Sequence, residues 1–177
     1  MPTPMQIPET KPPTELINGR LVQKKGGEHR HQALEQRWTS ALDQWCAGCG
    51  VACHEWQHEF TAPGYRFAVL VPDVAYQSAE TLKELGPAAS EAPTRAPVVA
   101  VEILCVGESE PDLAWKIGAY LAAGTRVVFV VDPPRRAVVA HAPDGVTRFG
   151  PGETVRHAAL PEFAFAIDAM FDGLYLG

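Results

Sequence analysis

No run in this 177-residue chain approaches the length and apolarity of a membrane span, and the opening MPTPMQIPETKPP lacks the apolar centre of a secretion signal. Membrane insertion and export are therefore not expected, and the cytoplasm is the expected location. Cysteine is scarce: 4 thiols without a secretory context give no reason for a disulfide framework. Positive charge is in the minority, 15 Lys and Arg against 21 Asp and Glu for a net charge of -6, so no global basic field draws the chain to nucleic-acid phosphates. Any such contact needs a local patch. Internal repeats are missing as well. The 46% hydrophobic content suffices for one sizeable core, and the length is too short for two ordinary domains.

Residues 1–13, rich in Pro and Thr, read as a flexible arm, and 14–177 as a single domain. In ELINGRLVQ, residues 15–23, two short arms flank Asn18-Gly19, a pair that tolerates the positive φ angles of a two-residue hairpin turn. From His31 to Trp45 the apolar positions Leu34, Trp38, Ala41, Leu42 and Trp45 recur at three- and four-residue steps, which predicts an amphipathic helix stopped near Gly48 and Gly50. Val51 to Phe60 and Tyr65 to Tyr76 read as two extended strands joined by a tight turn at Ala62-Pro63-Gly64. Residues 77–97 suit a surface excursion with one helical turn near Leu82. Ser109-Glu110-Pro111-Asp112 combines a capping serine, an early proline and an acid three residues on, so a helix opens there and ends at Gly124. RVVFVVD returns as an apolar strand. A hairpin is expected at Asp144-Gly145, and Phe163, Phe165 and Ile167 close the chain as strand or short helix. Strand, crossover helix and strand from Val98 to Val131 imply a parallel pair within an otherwise antiparallel sheet.

Two acids interrupt the apolar strands. Glu102 sits inside VVAVEIL, a run that reads as covered on both faces, where an unpaired charge is costly. Asp73 interrupts VLVPDVAY in the same way. If the two strands are adjacent, the carboxylates come together and either one stays protonated or a cation bridges them; the plainer alternative is a pair of strand-end acids in contact with water. Lys116 falls on the rim of the buried helix face, beside Leu113 and Tyr120 and within reach of the strand ends. Its plainer role is a surface ion pair with Asp112, one turn earlier.

The blocks ELINGRL, HRHQ, VPDVAY, VVAVEIL and DLAWKIGAYLAAGTRVVFVVDP, in this order and spacing, resemble the Uma-two family of predicted bacterial restriction endonucleases, within the PD-(D/E)XK nuclease superfamily. The resemblance runs from about residue 14 to 170. It implies an α/β, restriction-endonuclease-like core, a mixed β-sheet flanked by helices with an N-terminal β-hairpin. It further implies a Mg²⁺- or Mn²⁺-dependent endonuclease that hydrolyses phosphodiester bonds in DNA. Asp73, Glu102 and the backbone carbonyl of Ile103 then hold the metal, and Lys116 positions or activates water. Leu104 stands where the superfamily signature has lysine, so Lys116 supplies a displaced ammonium from the following helix. Glu15 matches the acid of the opening motif and completes an outer shell, or else faces solvent on the hairpin. His31 matches the helix-opening histidine and lies near the site.

Three other features carry weaker chemistry. Cys46, Cys49, Cys53, His54 and His58 approach finger-like zinc spacing, but Cys53 and His54 point to opposite faces of a strand, which favours reduced core and surface cysteines. Lys24, Lys25, Arg30 and Arg37 form either a basic rim at the site entrance or an ordinary solvated face. Trp115 falls nearly opposite the apolar stripe of its helix and marks a subunit contact, so a homodimer is expected. The competing class is a non-enzymatic nuclease-fold protein that serves oligomerisation or partner binding.

Overall fold

The structure, a computed structural model, describes residues 7–90 and 92–174. Its centre is a six-stranded sheet in the order β10-β9-β8-β7-β6-β3. These strands are β3 (Gly50–His54), β6 (Val74–Ser78), β7 (Val99–Ile103), β8 (Val127–Asp132), β9 (Ala137–Ala142) and β10 (Gly145–Phe149). β7 and β8 pair in parallel through the crossover helix α3 (Glu110–Ala122), and all other pairs are antiparallel. The mixed sheet flanked by helices is therefore present, and so is its single parallel pair.

Alternation along the strands sorts the two faces. Val99, Val101, Ile103, Val127, Phe129 and Val131 point towards α1 (His29–Cys46), whose Leu34, Trp38 and Leu42 are fully buried against them. The small ladder β11 (Thr154–His157) with β12 (Leu160–Ala166) and the helix α4 (Ile167–Phe171) close that side. Ala100 and Val128 face the other way, towards Ala119 and Tyr120 of α3. A second, four-stranded sheet lies over this face: β1 (Thr14–Ile17), β2 (Arg20–Gln23), β4 (His58–Phe60) and β5 (Ala68–Leu70), in the order β2-β1-β5-β4.

The N-terminal hairpin turns at Asn18 and Gly19 with φ of 49° and 77°, as the pair predicts. Ser109 caps α3, its Oγ accepting from the Asp112 N–H at 3.3 Å. α1 stops at Ala47 in the left-handed region, one residue before the expected glycine. The excursion after β6 contains a capped helix, α2 (Ala79–Leu85), and a 3-10 turn at Pro87–Ser90. Of the expected arm, residues 1–6 lie outside the described residues. Pro13 is held to the hairpin, its carbonyl accepting from the Lys24 N–H at 2.9 Å. No helix among the described residues is long and apolar enough to cross a membrane.

Two expected strands are each divided. Residues 51–60 break at Glu55, which takes a positive φ of 49°, so β3 stays in the central sheet and β4 joins the other. Residues 65–76 break at Val71-Pro72-Asp73, where proline has no N–H to give a ladder. The Ala62-Pro63-Gly64 turn does join antiparallel strands, β4 and β5.

His58 marks the inner side of β4. Its ring is fully buried against Trp56, and Nδ1 donates to the Arg95 carbonyl at 3.0 Å. Burial pushes its pKa down to about 4. A group depressed on folding contributes stability above its unfolded pKa, near 6.5, that is lost as pH falls towards 4. The stability gap between wild type and His58→Gln should narrow by about 3 kcal/mol over that interval, read by urea unfolding at each pH. A gap that stays constant with pH would show that His58 does not titrate there.

Candidate functional site

The register of β6 on β7 pairs Val74 with Val101, so Asp73, the residue just before β6, arrives at the end of β7 that holds Glu102 and Ile103. Both acids line one cavity of about 220 Å³, at the end where α3, the hairpin and the start of α1 meet. They are 3% and 1% exposed, so each requires partners.

Glu102 finds them on α3. Lys116 Nζ donates to its Oε2 at 2.8 Å, and Tyr120 Oη donates to its Oε1 at 3.1 Å. Lys116 is itself 3% exposed and also binds Glu15, with Nζ 3.0 Å from Oε1 and 3.1 Å from Oε2. It is therefore not a rim lysine. Nor is it the partner of Asp112, which pairs with Arg20 of the hairpin. Glu15 does not face solvent: it is buried, and its Oε1 accepts from the Val71 N–H at 2.8 Å. The hairpin folds back so that this residue reaches α3.

Asp73 is served from a different direction. Its Oδ2 accepts from the Ile103 N–H at 2.6 Å, while Oδ1 accepts from Lys24 Nζ at 2.6 Å and lies 3.2 Å from His31 Nε2. Lys24 also donates to the Val71 carbonyl at 2.6 Å. His31 Nε2 is equally 3.2 Å from Glu35 Oε1, and its Nδ1 is 3.3 Å from Cys105 Sγ. Three cations thus face four carboxylates: Lys24, Lys116 and His31 against Asp73, Glu102, Glu15 and Glu35.

The charges follow from this crowding. Burial alone would raise the Asp73 carboxyl, but Lys24 and His31 outweigh it and hold Asp73 well below the usual carboxylate range. Burial likewise opposes the charge on His31, yet hydrogen bonds to Asp73, Cys105 and Glu35 raise it to about 12. Glu102 moves the other way, because burial raises it by more than Lys116 and Lys24 lower it. Lys116 stays above the lysine range because Glu102 and Glu15 together exceed its burial cost. One ammonium shared between two carboxylates explains the asymmetry: the lysine is doubly compensated and Glu102 only partly so.

The sequence offered Lys24 only as part of a basic rim or solvated face, without its partner, and it missed Glu35, Cys105 and Tyr120 as site residues. Glu35 was legible in principle, one turn after His31 on the same helix face. Lys24 carried no local signal, because its partner lies 49 residues away. The expected basic rim is present in part, with Lys24 at the cavity. Arg37 Nη1 donates to the carbonyls of Ala169 and Met170 at 3.4 and 2.7 Å, far from the acids, while Lys25 does line the cavity. The cysteine and histidine cluster does not converge either. Cys46 and Cys49 form a disulfide, contrary to the expectation of reduced thiols, because the left-handed turn at Ala47 brings Cys49 back over the helix end with Cα atoms 5.3 Å apart. Cys53 is free, and His58 is buried in the other sheet. Trp115 is half-buried against its own chain. Gly118 leaves room for Tyr65, whose hydroxyl would collide with any Cβ there, and the Tyr65 ring stands edge-on to Trp115 at 5.6 Å.

A family model described as "Putative restriction endonuclease" matches residues 3–168. Among solved structures, one described as a putative nuclease belonging to DUF820, from Anabaena variabilis ATCC 29413, is 22% identical. It superposes with a TM-score of 0.80, covering 93% of this chain and 92% of that one, which is a likeness of fold. No curated protein matches.

Proposed function

The chain belongs to the Uma2 family, described as putative restriction endonucleases, and from that premise we propose that it is a divalent-metal-dependent endonuclease that hydrolyses phosphodiester bonds in DNA. The observation that carries this reading is Asp73, just before β6, and Glu102 on β7, both buried in one cavity with two lysine ammonium groups. Two carboxylates and the main-chain carbonyl of Ile103 make an oxygen-only donor set, which suits Mg²⁺ or Mn²⁺. When bound, such an ion supplies polarisation of the phosphate and a more acidic water.

The protein's own groups divide the remaining work. Lys116 is enclosed between Glu15 and Glu102, so it holds Glu102 in place and offsets charge that develops nearby. Lys24, with an 11% exposed side chain, is the more accessible ammonium and is placed to meet a phosphate oxygen at the cavity mouth. Ile103 N–H fixes the Asp73 carboxylate through Oδ2. Incubation of duplex DNA with Mg²⁺ or Mn²⁺ tests the reading: wild type should give strand breaks that EDTA abolishes. No cleavage with either ion, at concentrations that saturate binding, would remove it.

One observation favours a second reading. Each oxygen of Asp73, Glu102 and Glu15 already has a protein partner, so the cluster is self-neutralised and can serve as a buried structural core in a non-enzymatic partner-binding protein. Such a protein neither cleaves DNA nor binds these ions. The ground for a homodimer is now chemical only, since cutting both strands of a duplex is served by paired sites and Trp115 is no longer a bare surface. Sedimentation at micromolar concentration should show the mass of two chains, and a monomer there would remove that part of the proposal.

A further inference from the structure

We propose that His31, Glu35 and Asp73 form a second metal site, for a divalent transition ion of the Mn²⁺ or Zn²⁺ kind, distinct from the Asp73 and Glu102 position. The donor atoms of these three side chains lie within 4.8 Å of one another, and they are the one group of three or more such ligands found among the described residues. Glu102 and Glu15 are not part of it, because Lys116 engages them on the α3 side.

The arrangement has the parts such a site requires. His31 and Glu35 stand one turn apart on α1, so a single rigid helix face presents an imidazole nitrogen and a carboxylate. Asp73 comes from the chain just before β6 and meets them from the sheet. The three side chains are only 11%, 10% and 4% exposed, so their positions are held by packing. The second imidazole nitrogen is engaged by Cys105 Sγ at 3.3 Å, which leaves Nε2 towards the two carboxylates. Metal-bound histidines are oriented in this way by a partner on the other nitrogen. A cavity of about 520 Å³, lined by His31, Glu35 and Asp73, gives a hydrated ion a way in. Nitrogen among the donors favours Mn²⁺ or Zn²⁺ over Mg²⁺, which prefers oxygen alone.

Lys24 opposes this ion, and so does the proton on His31, which an entering ion has to displace from Nε2 before that nitrogen can bind it. The Lys24 ammonium sits 2.6 Å from the same Asp73 oxygen that faces His31, so a cation entering the triad meets a like charge. Replacement of Lys24 by methionine should therefore tighten binding, by roughly tenfold.

The test is titration of metal-free full-length protein with Mn²⁺ at neutral pH, followed by pulsed electron paramagnetic resonance. The expected spectrum shows hyperfine coupling to an imidazole nitrogen. That coupling should persist in Glu102→Gln, strengthen in occupancy with Lys24→Met, and vanish in His31→Gln. Glu35→Gln should weaken binding by about tenfold or more. Bound Mn²⁺ without nitrogen coupling in the wild type, coupling lost in Glu102→Gln, or no binding below about 1 mM would each overturn the site. Absence of the coupling in wild type overturns the site whether or not a variant folds, and its survival in Glu102→Gln separates the site from the Asp73 and Glu102 position. DNA cleavage is not read in this experiment, so failure of the nuclease reading and failure of this site are separate results.

Discussion

Lys116→Ala should lower the free energy of unfolding by about 3–5 kcal/mol, the loss expected when one partner of a buried ion pair is removed and the other charge stays behind. Here two charges stay behind. Glu15 and Glu102 are 3% and 1% exposed, and without the ammonium both are left as buried, mutually repelling charges. A lysine at the rim of its helix would support little packing and its removal would leave folding intact; the buried position reverses that expectation. Lys116→Met combined with Glu15→Gln and Glu102→Gln should recover much of the loss, because the volume is nearly kept and both uncompensated charges are gone. Asp112→Ala should change stability by less than about 1 kcal/mol, since its partner Arg20 has a 60% exposed side chain. Urea unfolding with an unchanged slope separates these outcomes. If Lys116→Ala unfolds at the wild-type midpoint, the lysine is not closed between its two acids. It follows that lost cleavage in this variant tells about chemistry only where circular dichroism shows the variant still folded.

Asp73→Asn should reduce metal-dependent DNA cleavage by about 10³-fold or more, because the amide cannot supply the anionic oxygen on which the site's cation depends. The substitution is nearly isosteric, and its oxygen can still accept from the Ile103 N–H, so the strand end keeps its shape. What it removes is the charge that Lys24 and His31 face. The pH dependence identifies that charge. Asp73 is depressed on folding, so its contribution to stability is present above the unfolded pKa near 4 and is lost as pH falls through the folded value. Wild type should therefore exceed Asp73→Asn in stability at neutral pH, and the two should converge in acid. Single-turnover cleavage on the folded variant is the decisive measurement. An Asp73→Asn protein that cuts at the wild-type rate leaves no role for this acid in catalysis.

Much of the architecture was legible because it is written in short-range pattern. Asn18-Gly19 marks the hairpin by the only backbone angles that close it, Ser109 marks the start of α3 by its cap, and the three- and four-residue spacing from Leu34 to Trp45 marks the buried face of α1. Asp73 and Glu102 were visible for a related reason, since a carboxylate inside an apolar strand signals an unpaid desolvation that some partner has to offset. The divided strands were less legible. Pro72 is a local sign of a break, but only the second sheet, built from segments distant in sequence, shows where the chain goes.

The sequence by itself therefore determined the apolar faces of α1 and α3, the N-terminal hairpin, the parallel strand pair, and that two acids in the core call for cations. Tertiary structure alone decided which cations answer. Lys116 sits one turn from Asp112 yet binds Glu15 and Glu102, and Lys24 reaches Asp73 across 49 positions. Likewise Trp115, apparently outward on its own helix, is half-buried against Tyr65 from another segment. Periodicity records only which side of an element is apolar. The choice of partner depends on strand register and on the cost of leaving a charge in a region without water, and both are properties of the assembled fold.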